Sequence, residues 1–450
     1  MLADAIACYH DLAASGRLAA DSQHQLDLLQ NLRGMSFGGR PVCTVIRPRF
    51  LTPEQYRLIR SRVAVLLGAF RTAYDRASAD PVFRTQFALH DWEERLLSVD
   101  PGFSPPSPTS RFDAFLTPDG GLRFTEYNTE TPAGAGYSDA LAEIFYGLPV
   151  FQEFQRTYHV APVPAKPGIV HALLDAYGQW RGNRAEPPRV AILDWREVPT
   201  YSEFVLFYDY FKAMGIEARI VDPRDLAYAD GKLTADDYHI TLIYKRVLIN
   251  ELVERCGADG PVVRAVRDGA VCMANTFRCK ILAKKASLAV LSDERNADFF
   301  SAAQLGAIAD HIPWTRVVAE RKTRHAGREI DLVPYVRANR ESLVLKPNDD
   351  YGGKGIVLGW TADAAAWDEA VDQALTEPYV VQERIPLPSE PFPSVHDGRL
   401  HVLDRLTDTN PYVALGSFVH GCLTRISTEP LVNVTAGGGS TVPTFLIEER

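Results

Sequence analysis

The chain is predicted to fold as an α+β protein with an inserted α/β unit, and three runs of its sequence carry that prediction. From Arg189 to Val247, apolar strand-like segments RVAILDW, EARIVDP and HITLIYKRV alternate with the helical SEFVLFYDYFKAMG, the pattern of a small parallel sheet. Two further runs, RFDAFLTPDGGLRFTEYNT at residues 111–129 and LVLKPNDDYGGKGIVLG at residues 343–359, read as strand pairs joined by turns. They lie far apart in the chain. No internal repeat and no low-complexity tract accompanies them.

The elements follow in order. Apolar positions recur at helical spacing from Leu2 to Leu32, and Gly34, Gly38 and Gly39 break the pattern before the strand-like VCTVI at residues 42–46. After Pro53, EQYRLIRSRVAVLLGAFRTAYDRA reads as one long amphipathic helix, and the prolines of FSPPSPTS at residues 103–110 mark a loop before the first strand pair. More helix is expected beyond Gly136, then a proline-rich linker APVPAKP at residues 161–167. The last third opens with helices around Lys284 and Ala302. It continues as strands LVLKP, GIVLG, YVVQERI, LHVLDRL, VALGSFVHG and CLTRIS. These breaks divide the chain into 1–165, 166–270 and 271–450.

Composition narrows the function classes. With 450 residues, 46% hydrophobic and 23% charged, the chain can bury a large core. A net charge of −9 argues against broad nucleic-acid binding. The six cysteines form no CxxC pair and no metal-ligand spacing with histidine, so reduced thiols are expected. The N-terminal residues lack a basic region followed by an apolar run, and no apolar stretch approaches the ~20 residues that cross a bilayer. A cytoplasmic protein with no membrane partner is the expectation.

Chemistry concentrates in four segments. In LRFTEYNT, Glu126 and Asn128 are two residues apart and share a strand face, and Asp113 has the same alternation on the preceding strand. That face offers hard oxygens to a divalent cation, although a hairpin of solvated carboxylates has the same pattern. Gly134 and Gly136, in TETPAGAG, permit close backbone approach to a ligand. After the strand ending at Lys346 comes a loop with Gly352, Gly353, Lys354 and Gly355. Its N–H groups and lysines suit phosphate oxygens; a plain turn with incidental glycines fits equally. It is not the Walker signature, which needs GxxxxGK[ST]. The strand YVVQERI ends in backbone groups able to read an adenine edge. The tail GCLTRISTEPLVNVTAGGGS brings Arg425, Asn433 and the glycine run 437–439, a second anion loop or a flexible turn. Magnesium binds carboxylates and nucleotide phosphates together, so the early hairpin and late loop make sense as halves of one ATP site.

Together these segments resemble the ATP-grasp superfamily in its circularly permuted form, related to glutathionylspermidine synthetases. RFDAFLTPDGGLRFTEYNTETPAG is similar to the metal hairpin of D-alanyl-D-alanine ligases, which implies that Asp113, Glu126 and Asn128 hold Mg2+ against ATP. In ordinary members the hairpin follows the lysine strand; here it precedes it, the mark of permutation. KILAKKASLAVLSDE followed by IPWT resembles the helix carrying a nucleotide-contacting lysine, here Lys284 or Lys285. Lys346 resembles the strand lysine on the ATP phosphates, and DDYGGKG the flap. Gln382, Glu383, Arg384 and Ile385 would be the adenine hinge, and Glu390 a ribose ligand. GCLTRIS and VNVTAGGGS resemble segments of the permuted subfamily, placing Arg425 and Asn433 by the transferred phosphate.

The resemblance implies a circularly permuted ATP-grasp fold with a small Rossmann-like pre-grasp domain at 166–270. It also implies an ATP- and Mg2+-dependent ligase joining a small-molecule carboxylate to an amine, with Arg425 and Lys346 catalytic. Cys422 in place of a usual glycine and the ending STVPTFLIEER depart from the pattern. They keep two rivals in view, a kinase-like phosphotransferase and an ATP-binding protein without turnover. Acid, amine and oligomeric state are not readable from the sequence.

Overall fold

A computed structural model describes residues 1–450 except Tyr351 and residues 431–438. The helix Pro53–Ala79 starts at Thr52, whose hydroxyl accepts from the N–H of Gln55 while the Gln55 side chain returns to the Thr52 N–H. Ile59, Val63, Leu66, Phe70, Ala73 and Ala77 line its buried stripe. That stripe is the floor beneath the strand pair Thr109–Leu116 and Leu122–Asn128: Phe70 lies 4.5 Å from Tyr127, and Tyr127 stacks on Phe112 at 4.1 Å. Because side chains alternate along a strand, pinning Phe112 and Tyr127 to the helix turns Asp113, Glu126 and Asn128 to the other face, and a register shift between Asp113 and Ala114, which leaves Thr125 unpaired, brings Phe124 back to the helix side. The register pairs Asp113 with Glu126 and Arg111 with Asn128.

This hairpin is the edge of a seven-stranded sheet whose other members come from the far end of the chain. The order runs Ser389–His396, Arg399–Thr407, Phe418–Ser427, Asn410–Ala414, Thr109–Leu116, Leu122–Asn128, with Gly439–Val442 added to Phe418–Ser427. A smaller sheet, Thr315–Val317, Tyr379–Glu383, Leu343–Pro347 and Val357–Leu358, carries the helix Ala364–Thr376, which buries Trp367 against it. Arg49–Leu51, Thr444–Glu449 and Tyr158–Pro162 form a third sheet that ties the two chain ends together.

The inserted unit is a four-stranded parallel sheet, ordered Cys272–Ala274, Leu242–Lys245, Val190–Leu193, Ala218–Val221. The chain enters at Val190–Leu193, steps to Ala218–Val221 on one side, then returns to Leu242–Lys245 on the other. The direction of winding therefore reverses between Val190–Leu193 and Leu242–Lys245.

Three local expectations are corrected. VCTVI joins no sheet: its buried backbone is satisfied by the Gln30 amide, which bonds both the N–H (2.8 Å) and C=O (2.9 Å) of Cys43, and by Ile46 N–H to Pro393 O. The supposed linker APVPAKP is ordered, its first two residues closing the strand Tyr158–Pro162 and Lys166 opening the helix Lys166–Arg181, where Pro167 tolerates its missing donor in the first turn. HITLIYKRV divides at Thr241 into Tyr238–Ile240 and Leu242–Lys245, which belong to different sheets. Among the described residues no helix is long and apolar enough to cross a membrane.

Candidate active site

One cavity of about 540 Å³ receives the face of the hairpin, the lysine strand and the end of the parallel sheet. At its centre Asp113 is gripped by two guanidiniums: Arg111 Nε donates to Oδ1 at 2.9 Å and Arg425 Nη2 to Oδ2 at 2.6 Å. Asn128 Nδ2 adds a bond to Oδ1 at 3.0 Å. Burial alone would raise the Asp113 carboxyl, but Arg111 and Arg425 overcome it and hold it near 2. Arg425 is fixed in turn by buried Asp408, which accepts from its Nε at 2.6 Å and from its backbone N–H at 2.6 Å. Glu126, across the ladder from Asp113, stands 3.3 Å from Lys285 Nζ and is more open, its side chain 27% exposed.

Another side of the cavity follows from the small sheet. Leu343–Pro347 and Tyr379–Glu383 pair directly, so Lys346 Nζ reaches Gln382 Oε1 at 2.7 Å. The same ammonium lies 3.3 Å from Thr125 O, 221 residues earlier in the chain. Burial lowers the Lys346 ammonium to about 8, the nearby Lys285 adding to the shift and Glu126 opposing it. Lys285 Nζ also donates to Asp350 O at 2.6 Å, which links the helix start to the loop carrying Gly352, Gly353 and Lys354 along the wall. Gln382, Glu383, Arg384 and Ile385 line the opposite edge, and Arg384 lies over the Trp360 ring at 4.2 Å.

Three expected site residues are placed otherwise, and a fourth lies outside the described residues. Lys284 points away from the cavity and is fully buried between Glu93 and Asp349, each at 2.8 Å. Glu390 is held by the buried Arg47, at 3.0 Å, and Arg49; those two cations need a counter-charge, and the residue does not line the cavity. Gly355 supports the loop from beneath: at φ +65°, a Cβ there would stand 2.6 Å from Pro347 Cγ. Asn433 lies outside the described residues.

His90, Glu93 and Asp349 also approach closely enough to share a cation. Their carboxylates are already neutralised by Lys280 and Lys284, so the cluster is an ion network that reaches the cavity wall only at Asp349.

Several residues of the cavity wall or directly behind it carried no signal in the sequence. Asp408 sits in an unremarkable turn between strands. Glu203, on the helix Tyr201–Ala213, accepts from the N–H groups of Gly134 (2.8 Å) and Gly136 (3.0 Å), so it anchors the hairpin's exit loop; its other oxygen takes Arg246 Nη2 at 2.9 Å. Asp194 and Arg246 follow directly on the parallel strands Val190–Leu193 and Leu242–Lys245, a position that could have marked them, since ligands gather at the carboxyl ends of such strands.

Two carboxylates and an amide on one strand face are a donor set that suits a hard divalent cation, with Glu126 the more open of the two acids. The cavity volume is in the range that holds a nucleotide-sized ligand. Comparison with known proteins follows the same lines. The family model described as circularly permuted ATP-grasp type 2 matches residues 90–427. The protein named "Putative glutamate--cysteine ligase 2-3" of Frankia alni is 27% identical over 358 residues, covering 74% of this chain and 38% of that protein. "Putative glutamate--cysteine ligase 2-2" of Frankia casuarinae is 26% identical over 341 residues, covering 72% and 36%. The chain thus spans well under half the length of these two relatives. A glutathione synthetase-like effector of Globodera pallida, solved in its apo form, superposes with a TM-score of 0.60 at 13% identity, covering 95% of this chain and 97% of that one; it shares the fold.

Proposed function

Because the chain belongs to the circularly permuted ATP-grasp type 2 family, we propose that it is an ATP- and magnesium-dependent ligase joining a small carboxylate or peptide to an amine through an acyl phosphate. The observation that carries this reading is the convergence of Asp113, Glu126 and Asn128 with Lys346 and Lys285 on one cavity. The relatives named as glutamate–cysteine ligases support amino-acid-like substrates.

Asp113, Glu126 and Asn128 would hold the metal, which supplies charge neutralisation at the phosphates. Lys346 and Lys285 bind and orient phosphate oxygens, and the loop at Gly352–Lys354 excludes water. A substrate carboxylate oxygen bonds to the γ-phosphorus as the bond to the β-phosphate oxygen breaks and ADP leaves with the pair. The neutral amine nitrogen then bonds to the acyl carbon, inorganic phosphate leaves with the C–O pair, and the nitrogen passes one proton to the departing phosphate. Positioning and charge carry such transfers, so the protein contributes fixed cations rather than a nucleophile. Arg425, oriented by Asp408, faces the transferred group. We assign the parallel-sheet unit as the pre-grasp-like domain walling the acceptor end.

A screen of carboxylates crossed with amines, read as ADP release with Mg2+, tests the proposal. Release that needs both substrates is the expected result. Release with the acid alone, leaving a stable phosphorylated product, would make the protein a kinase-like phosphotransferase. Tight ATP binding without release in any mixture would leave a nucleotide-binding protein.

A further inference from the structure

The acceptor end of the cavity lies where the parallel sheet reverses its winding. In open α/β sheets, the crevice at such a reversal opens outside the carboxyl ends of the two diverging strands and collects ligands. Here those strands are Val190–Leu193 and Leu242–Lys245, and the residues that follow them on either side of the crevice are Asp194 and Arg246. Both line the cavity, with Tyr137, Thr200, Leu248 and Glu251 around them.

Asp194 is only 8% exposed, yet its carboxylate is poorly engaged. Oδ1 accepts the N–H of Trp195 at 2.8 Å, and among the described residues Oδ2 takes no hydrogen bond. The other acids of the crevice have partners: Glu130 accepts from Ile249 N–H and from Lys280 at 3.2 Å, and Glu251 accepts from Trp195 Nε1 at 2.8 Å. Arg246 is bound to Glu203 at 2.9 Å and to Tyr244 Oη at 3.0 Å, so it does not close on Asp194 as a salt-bridge partner. A carboxylate nine-tenths buried and facing a cavity, with Arg246 and Lys245 near enough to favour its charge but neither in ion-pair contact, gains from a cation that reaches it directly. Burial accordingly raises the Asp194 carboxyl to about 6, the Trp195 N–H opposing it.

We propose that Asp194, at the reversal point of the parallel sheet, is the recognition residue for the protonated amino group of the acceptor substrate. The inference rests on the ligase reading and deepens it: the acceptor is a primary amine that binds as an ammonium and gives up one proton to solvent before its neutral nitrogen attacks. Glu203 gives the subsite its link to the reaction centre, because the same carboxylate fixes Arg246 and the backbone of Gly134 and Gly136 at the hairpin exit. An amine held at Asp194 is thereby held in register with the metal hairpin.

The test compares wild type with Asp194→Asn and Asp194→Ser. Proteinogenic amino acids serve as carboxylates and, with spermidine and putrescine, as amines; hydroxylamine, uncharged at neutral pH, is the small acceptor that needs no ammonium site. Expected is a rise in the KM for the amine by about 10- to 100-fold, the loss of one charge-assisted bond. KM for ATP and for the carboxylate, and the rate of hydroxamate formation, stay within about twofold. Asp194→Glu should recover part of the amine affinity. An unchanged amine KM, or a parallel loss for hydroxylamine, overturns the subsite while leaving the ligase reading intact. Failure of the wild type to release ADP or form hydroxamate with any pair removes the ligase reading, and this inference with it.

Discussion

Lys284 and Lys285 are adjacent in the chain and belong to two different regions of the molecule. Lys284 enters a network with Glu93, Asp349, Lys280 and Glu130 in which every charge meets an opposite one, and although Asp349 and Glu130 reach the cavity wall, Lys284 itself is fully buried. Lys285 faces the cavity, where Glu126 at 3.3 Å and the backbone of Asp350 are partners that a ligand can displace. The turn between the helices Lys280–Ala283 and Ala286–Ser292 sends the two side chains apart. A buried ion pair thus has two uses here. Paired on every side, it locks distant segments together; open on one side, it keeps charges in place for exchange.

The comparison is broken most directly at Lys284. Removing one member of a buried pair leaves the other charged and unsolvated, a cost of about 3–5 kcal/mol. Lys284→Met should lower unfolding free energy by that amount in a denaturant titration, while Lys285→Met should cost less, because its partner Glu126 stays partly solvated, and should weaken nucleotide binding. Equal destabilisation by the two would erase the distinction.

Glu126→Gln sharpens the open side. Its side chain is 27% exposed and its ion pair is long, so folding stability should change by at most ~1 kcal/mol. Turnover with magnesium should fall about 10²- to 10³-fold, the range for losing one preorganised electrostatic group. Steady-state ADP release beside a thermal melt reads both quantities; a variant with full turnover removes Glu126 from the metal set.

The smallest expected effect is the pH response of Lys346. Burial holds its ammonium near 8, against an ordinary lysine value of 10.5. Between these values the unfolded chain binds the extra proton, so the stability of the free protein rises with pH through this window. ATP affinity moves the other way, because the phosphate-facing charge is lost as pH climbs through about 8. About tenfold weaker ATP binding at pH 9 than at pH 7 is expected by calorimetry, the scale of one charge-assisted bond. Lys346→Met should flatten both slopes, and an ATP affinity that stays level across that range in wild type would show that Lys346 does not face phosphate.

Much of the site was legible because strand alternation is local. Asp113, Glu126 and Asn128 share a face for a reason present in the spacing, and the turn TPDGG sets up their pairing. The glycine loop after Lys346 and the strand Tyr379–Glu383 were readable in the same way. Glu390 and Lys284 were misplaced because nothing local distinguishes a carboxylate that meets Arg47 and Arg49, or an ammonium that meets Glu93, from one that meets a ligand. VCTVI was misread because a glutamine side chain, thirteen positions earlier, satisfied the backbone that a neighbouring strand would have satisfied.

What the sequence determined by itself was the set of elements and the chemistry of their faces, since periodicity, capping and turn residues act within a few positions. Which faces meet was decided only in three dimensions. The approach of Lys346 to Thr125, the clasp of Arg425 on Asp113 and the place of Asp194 at the sheet's reversal depend on contacts hundreds of residues long or on strand order. Burial then assigns each charge its partner, because a desolvated ion is stable only beside its opposite.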